Sequence, residues 1–166
     1  IRAAGGEVFT YAKVKEILIE NGRATGVLMA NGDRLHADTV VSAAGARITF
    51  LQLLPQAERV AAILVTHAHF DHVGALAEFR DSLAAPVLMH ANETGFLREV
   101  GEQAQWFGVG PVRAPGAPDR LLSQDDTVGV GGEQLKVLET PGHSPGGLSF
   151  YSESGGFVIV GDALFA

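Results

Sequence analysis

The run Thr66-His67-Ala68-His69-Phe70-Asp71-His72-Val73-Gly74 puts four potential metal ligands within six residues. Three imidazoles and a carboxylate this close would repel one another or leave polar groups unsatisfied in an apolar core. The same set suits one or two borderline-soft cations such as zinc. The run follows Ala61-Ala62-Ile63-Leu64-Val65 directly, an apolar stretch that reads as a buried strand. A strand delivers its last residues to a sheet edge, and the turn after it can fan side chains inward.

His143 and Asp162 extend the cluster, because each follows a strand-like stretch and each is preceded by a glycine, Gly142 and Gly161, that permits a tight turn. His67, His69 and His143 can form one three-nitrogen site with a fourth position left for water. Asp71 and His72 can begin a second site, with Asp162 bridging the two. A pair of ions held this way lowers the pKa of bound water and polarises the carbonyl or phosphoryl group under attack. Zinc is the expected ion. Iron is the alternative, because three nitrogens and carboxylates suit it as well.

These side chains need elements to position them. Strands are expected at Glu7–Tyr11, Val14–Ile19, Ala24–Met29 and from Arg34 to Ala43, with Asn21-Gly22 and Asn31-Gly32 as hairpin turns. Residues 46–54 read as a short helix, and Pro55 to Glu58 as a turn or short helical piece. After the histidine cluster, residues 75–83 have helical spacing, with Leu76, Phe79 and Leu83 on one face. Pro86 to His90 is a short buried strand, so strand, helix and strand make a parallel crossover. Residues 92–107 read as a helix with Asn92 as its cap, and the Gly- and Pro-rich stretch 108–118 as an irregular loop. The last third is strand-rich. It runs through Thr127–Val130, the Gly131-Gly132 turn, Gln134–Thr140, Leu148–Tyr151 and Gly156–Val160.

At 166 residues, 46% hydrophobic and 19% charged, the chain has enough apolar material for one globular domain or for two joined pieces. A net charge of -7 argues against a standing nucleic-acid partner, since phosphate binding needs a basic surface. The absence of cysteine excludes disulfides, thiolate ligands and cysteine nucleophiles. No apolar run has membrane-spanning length and the opening residues do not read as a leader, so no membrane partner is expected and the cytoplasm is the expected location. The expected partner is a small-molecule substrate, and the oligomeric state is left open.

His-x-His-x-Asp-His after an apolar strand, then Thr140-Pro141-Gly142-His143-Ser144-Pro145-Gly146, then Gly161-Asp162-Ala163-Leu164-Phe165, resembles the metallo-beta-lactamase superfamily, nearest to its glyoxalase II-like hydrolases. The resemblance runs from about residue 60 to the C-terminus. It implies an α/β fold, an αββα sandwich of two sheets flanked by helices with metals at one sheet edge. It also implies a metal-dependent hydrolase, in which a metal-bound hydroxide attacks a thioester, ester, lactone or related substrate and Asp71 is the catalytic carboxylate. This chain differs from the family's pattern in two places. Ser42-Ala43-Ala44-Gly45 stands where an Asp-Pro-Gly-like turn is usual, and the further histidine that would serve the second ion is missing, so the sandwich reads as truncated at the C-terminus. His36 and His90 are the remaining histidines, and His90, at the end of a strand near the cleft, is expected to be structural or solvated rather than a ligand.

Residues 1–45 resemble something else. Gly5-Gly6-Glu7-Val8, Glu20-Asn21-Gly22-Arg23-Ala24-Thr25-Gly26-Val27 and Ala37-Asp38-Thr39-Val40-Val41-Ser42-Ala43-Ala44-Gly45 are similar to the strand meander of FAD-dependent amine-oxidase and phytoene-desaturase-like oxidoreductases. That resemblance implies Val14 near the adenine of FAD, but the glycine-rich helix start that would seat the pyrophosphate is missing. The chain therefore reads as residues 1–55, an N-terminal antiparallel meander with a short helix, followed by residues 56–166, a metal-binding core. The rival functions are a fragment of an FAD-dependent oxidoreductase and a catalytically silent metal-binding module.

Overall fold

A computed structural model describes residues 3, 5–55, 60–130 and 132–164. The chain divides into two compact units, Ile1–Arg59 and Val60–Ala166.

In the first unit, β1 (Val14–Glu20), β2 (Arg23–Met29) and β3 (Arg34–His36) form an antiparallel sheet in that order. Glu20 pairs with Arg23 across a two-residue loop in which Asn21 and Gly22 have φ of 52° and 73°. Both are left-handed, as the expected hairpin turn requires. At the second turn the Asn31 side chain accepts the Asp33 N–H at 3.1 Å. Two strand expectations do not hold. Glu7–Tyr11 is irregular, and Tyr11 at φ 57° turns the backbone out of an extended run. β3 stops at His36 instead of reaching Ala43. His36 pairs with Gly26 in the middle of β2, one further backbone bond runs from Ala37 N–H to the Thr25 carbonyl at 3.0 Å, and the pairing ends there, with Val41 exposed. The expected helix forms as α1 (Ala46–Ile48) continued by a π turn at Thr49–Leu53. The expected turn at Pro55 to Glu58 lies, after Pro55, outside the described residues, as do Gly131 of the Gly131-Gly132 turn and Phe165.

The second unit holds two sheets. β4 (Ile63–Leu64), β5 (Val87–His90) and β6 (Arg120–Leu122) are parallel and adjacent in that order. β7 (Thr127–Val130), β8 (Glu133–Glu139), β9 (Leu148–Ser152) and β10 (Phe157–Ile159) form an antiparallel sheet ordered β10-β9-β8-β7. The crossover from β4 to β5 carries α3 (Leu76–Leu83), as the spacing predicts, and before it α2 (Phe70–Val73), a helical turn where the sequence reads only a turn. The single helix expected at 92–107 is broken into a 3-10 turn at Ala91–Glu93, α4 (Thr94–Arg98) and α5 (Val100–Trp106), with the break at Glu99. The cap also differs: His90, not Asn92, is the capping residue, and its Nδ1 accepts the Asn92 N–H at 3.2 Å.

β5 shows how the layers are made. Successive side chains on a strand point to opposite faces. Val87 and Met89 join Val65, Ala68, Val73, Leu76, Leu97 and Val100 in a core between the parallel sheet and the helices. Leu88 joins Leu122, Val128, Leu135, Val137, Leu148 and Phe150 in a second core between the two sheets. On β8, Leu135 and Val137 are buried while Gln134 and Lys136 are exposed, the alternation of a sheet with one face covered. Among the described residues no helix is long and apolar enough to cross a membrane.

Candidate metal centre

The histidine loop lies where the two sheets of the second unit meet. Val65 N–H still bonds to the Leu88 carbonyl of the parallel sheet at 3.0 Å, and the next carbonyl, Thr66, accepts the Leu148 N–H of the antiparallel sheet at 2.8 Å. His67 and His69 leave the end of β4 there. His69 is extended (φ -70°, ψ 147°) and the chain turns helical after it, which places Asp71 and His72 in the single turn of α2. His143 sits in the β8–β9 turn, closed by the Thr140 N–H to Gly147 carbonyl bond at 2.8 Å. Asp162 lies in a 3-10 turn after β10. Its predecessor Gly161 has φ 53°, and a Cβ there would lie 2.5 Å from Thr66 Oγ1, so only glycine lets this turn press against the end of β4.

Five of the six expected ligands converge. The ring centroids of His67, His69 and His143 are 4.7–4.9 Å apart in a near-equilateral triangle. His69 Nδ1 and His143 Nε2 face each other at 3.0 Å. The donor atoms of His67, His69 and His143, and those of His67, His72 and Asp162, lie within 4.8 Å of one another in each group. Asp162 Oδ1 is 3.4 Å from His72 Nε2 and its Oδ2 is 3.6 Å from His143 Nε2, one oxygen toward each group. Asp71 belongs to neither group. Its exposed carboxylate lies 3.8 Å from His72 Nε2. His90 is also outside both, with Nε2 3.4 Å from Glu139.

His67 is 2% exposed, and its Nδ1 is 3.2 Å from Thr66 Oγ1, while its buried Nε2 has no hydrogen-bond partner. Burial first, then the neighbouring imidazoles of His72 and His69, hold its pKa down to about 4. The ring is therefore neutral at ordinary pH and presents a lone pair, the state in which imidazole binds a metal. An orphaned buried nitrogen beside two imidazoles whose nitrogens point at each other is a donor set that fits a divalent cation preferring nitrogen and oxygen, such as zinc or iron.

Sequence reading missed two residues at this site. Glu93, which the sequence marks only as one residue of the 92–107 helix, is fully buried and accepts the Ala68 N–H at 2.8 Å, between His67 and His69. Gln103 accepts the Phe70 N–H at 3.2 Å and donates to the Phe96 carbonyl at 2.7 Å. The available signal was weak: a carboxylate and an amide close to strongly apolar neighbours.

The sequence profile of the metallo-beta-lactamase superfamily matches residues 38–166. The chain belongs to that superfamily. Its fold, two packed sheets with helices over one of them and the ligand cluster at the sheet edge, is the metallo-beta-lactamase fold in part. The matched range begins at residue 38, within the segment for which a flavoprotein resemblance was expected, and no comparison shows that resemblance. The chain is 41% identical over 104 residues to the probable metallo-hydrolase YqgX of Bacillus subtilis, covering 63% of this chain and 49% of that protein. It is 33% identical over 105 residues to the hydroxyacylglutathione hydrolase GloC of Haemophilus influenzae, covering 62% and 49% respectively. The crystal structure of TTHA1623 in a di-iron-bound form superimposes with a TM-score of 0.57 at 39% identity, over 64% of this chain and 51% of that one. The chain thus spans about half the length of these relatives.

Proposed function

We propose that this metallo-beta-lactamase-superfamily chain carries the metal centre of a hydrolase that cleaves a thioester, with esters and lactones as related substrates. The observation that carries the reading is the convergence of His67, His69 and His143 around the orphaned Nε2 of His67, with Asp162 set between His143 and His72. The similarity to a hydroxyacylglutathione hydrolase supports the thioester class, since an acylglutathione is an S-acyl compound.

His67, His69 and His143 would hold the first ion. His72 and Asp162 would hold the second, with Asp71 at its solvent edge. Zinc is the ion we favour, and the di-iron form of a similar protein supports iron as the alternative. What such an ion supplies when bound is Lewis acidity, which polarises the acyl carbonyl and lowers the pKa of water in the site. The protein's own groups do the rest. His67 donates a lone pair rather than a proton because burial keeps it neutral. Asp162 fixes the spacing of His72 and His143. Asp71 can take up the proton of the attacking water at a carboxylate oxygen, since it is exposed and close to His72. Residues 1–55 are read as a preceding strand-meander domain and residues 56–166 as the metal-binding core.

The test is hydrolysis of S-acylglutathione and simple acyl thioesters by the purified chain, before and after chelation. Turnover that disappears with the chelator and returns with zinc or iron supports the reading. Tightly bound metal without turnover on thioesters, esters or lactones contradicts it and favours a silent metal-binding module.

A further inference from the structure

Glu93 is 0% exposed, and none of the roles above uses it. It closes the 3-10 turn after β5, and its carboxylate reaches two different loops. One oxygen, Oε2, accepts the Ala68 N–H at 2.8 Å. The other, Oε1, accepts the Ser144 hydroxyl at 2.8 Å and the Gly146 N–H at 2.7 Å. Ala68 stands between His67 and His69, and Ser144 follows His143. One buried side chain therefore ties together the two segments that supply all three imidazoles of the first group.

The fit is close on the turn side. A Cβ on Gly146 would lie 2.9 Å from Glu93 Cγ and 2.7 Å from His90 Nδ1, so the His143 turn is seated directly on Glu93. On the other side the Ala68 peptide is gripped at both ends, its N–H by Glu93 and its carbonyl by Gln103 Nε2 at 3.5 Å. Across the two segments Glu93 joins, His69 Nδ1 and His143 Nε2 lie 3.0 Å apart, within hydrogen-bond distance. Together with the Leu148–Thr66 backbone bond and the His69–His143 ring contact, Glu93 holds the histidine loop and the His143 turn at a fixed separation.

We propose that Glu93 is a positioning residue for the metal centre, setting the spacing of His67, His69 and His143 and with it the affinity and coordination geometry of the first ion. The proposal rests on the metal-binding reading above. It requires both oxygens to accept, so glutamine is a poor replacement: an amide offers one acceptor oxygen and turns its NH2 against one of the N–H donors.

Cobalt(II) titration of the metal-stripped full chain tests it, with ligand-field absorption as the readout, for wild type, Glu93→Gln, Ser144→Ala and the double variant. Partners that orient metal ligands typically contribute about ten- to a hundredfold in affinity. A loss of that size is expected in Glu93→Gln, with a smaller loss in Ser144→Ala, changed band shapes in both, and unchanged far-ultraviolet circular dichroism. Adding Ser144→Ala to Glu93→Gln should then change little, because the hydroxyl acts through the carboxylate. Should Glu93→Gln fail to fold, Ser144→Ala alone decides, since it removes one donor and leaves both backbone bonds. Wild-type affinity and an unaltered cobalt spectrum in the variants that fold overturn the proposal while leaving the metal centre intact. Weakened cobalt binding in the variants, with no thioester turnover by any form, sustains the proposal and sinks the thioester reading. A wild-type chain that takes up no cobalt overturns both.

Discussion

Asp162 Oδ1 lies 3.4 Å from His72 Nε2, joining the turn after β10 to the single helical turn after β4. The second Asp162 oxygen is directed at His143, so this one carboxylate links the two ligand groups. Asp162→Asn keeps the shape and removes the charge. Metal bound at the second position should be lost while the first remains, and thioester turnover should fall by at least about a hundredfold, a barrier increase of roughly 3 kcal/mol. Metal analysis of the variant beside steady-state kinetics measures both.

Gly161→Ala tests whether the close approach of that turn matters. The new methyl would meet Thr66 Oγ1 at 2.5 Å and Thr66 Cβ at 2.8 Å, on a backbone with φ of 53°. The expected cost is about 1–3 kcal/mol in stability, read by urea unfolding. Weakened metal binding at the second position should accompany it, because Asp162 moves with its neighbour.

The metal-free chain should lose stability in acid through His67. Its folded pKa of about 4 lies below the ordinary 6.5, so between those values the unfolded chain binds more protons than the folded one. Stability therefore falls as pH drops from about 6.5 toward about 4 and gains nothing further from this group above 6.5. Urea midpoints across that window should be steeper for the wild type than for His67→Gln, which has nothing to titrate there.

The clustering of the candidate ligands was legible in the sequence because metal chemistry restricts both residue type and position. His67, His69, His143 and Asp162 each follow a strand, and the glycine before Asp162 was a readable sign of the tight turn. The strands flanked by Asn21-Gly22 were legible for the same reason, since that turn has few alternatives. The third strand was overextended because Thr39-Val40-Val41 has strand propensity, whereas β3 pairs with β2 only as far as His36 opposite Gly26. The helix at 92–107 was read as continuous because its apolar spacing carries no mark of the break at Glu99. Glu93 was illegible on principle: a buried carboxylate is defined by the donors around it, and Ala68, Ser144 and Gly146 are remote in the chain.

The central claim is that His67, His69 and His143 hold a metal ion, and metal content per chain tests it most directly. Wild type, His67→Ala and His143→Ala would be stripped, incubated with excess zinc or iron(II), desalted and analysed, with circular dichroism confirming that each is folded. The account expects at least one ion per wild-type chain and a folded His143→Ala that retains none at the first position, with His67→Ala behaving alike. A wild-type chain that emerges free of metal, or alanine variants that retain as much as wild type, would contradict it.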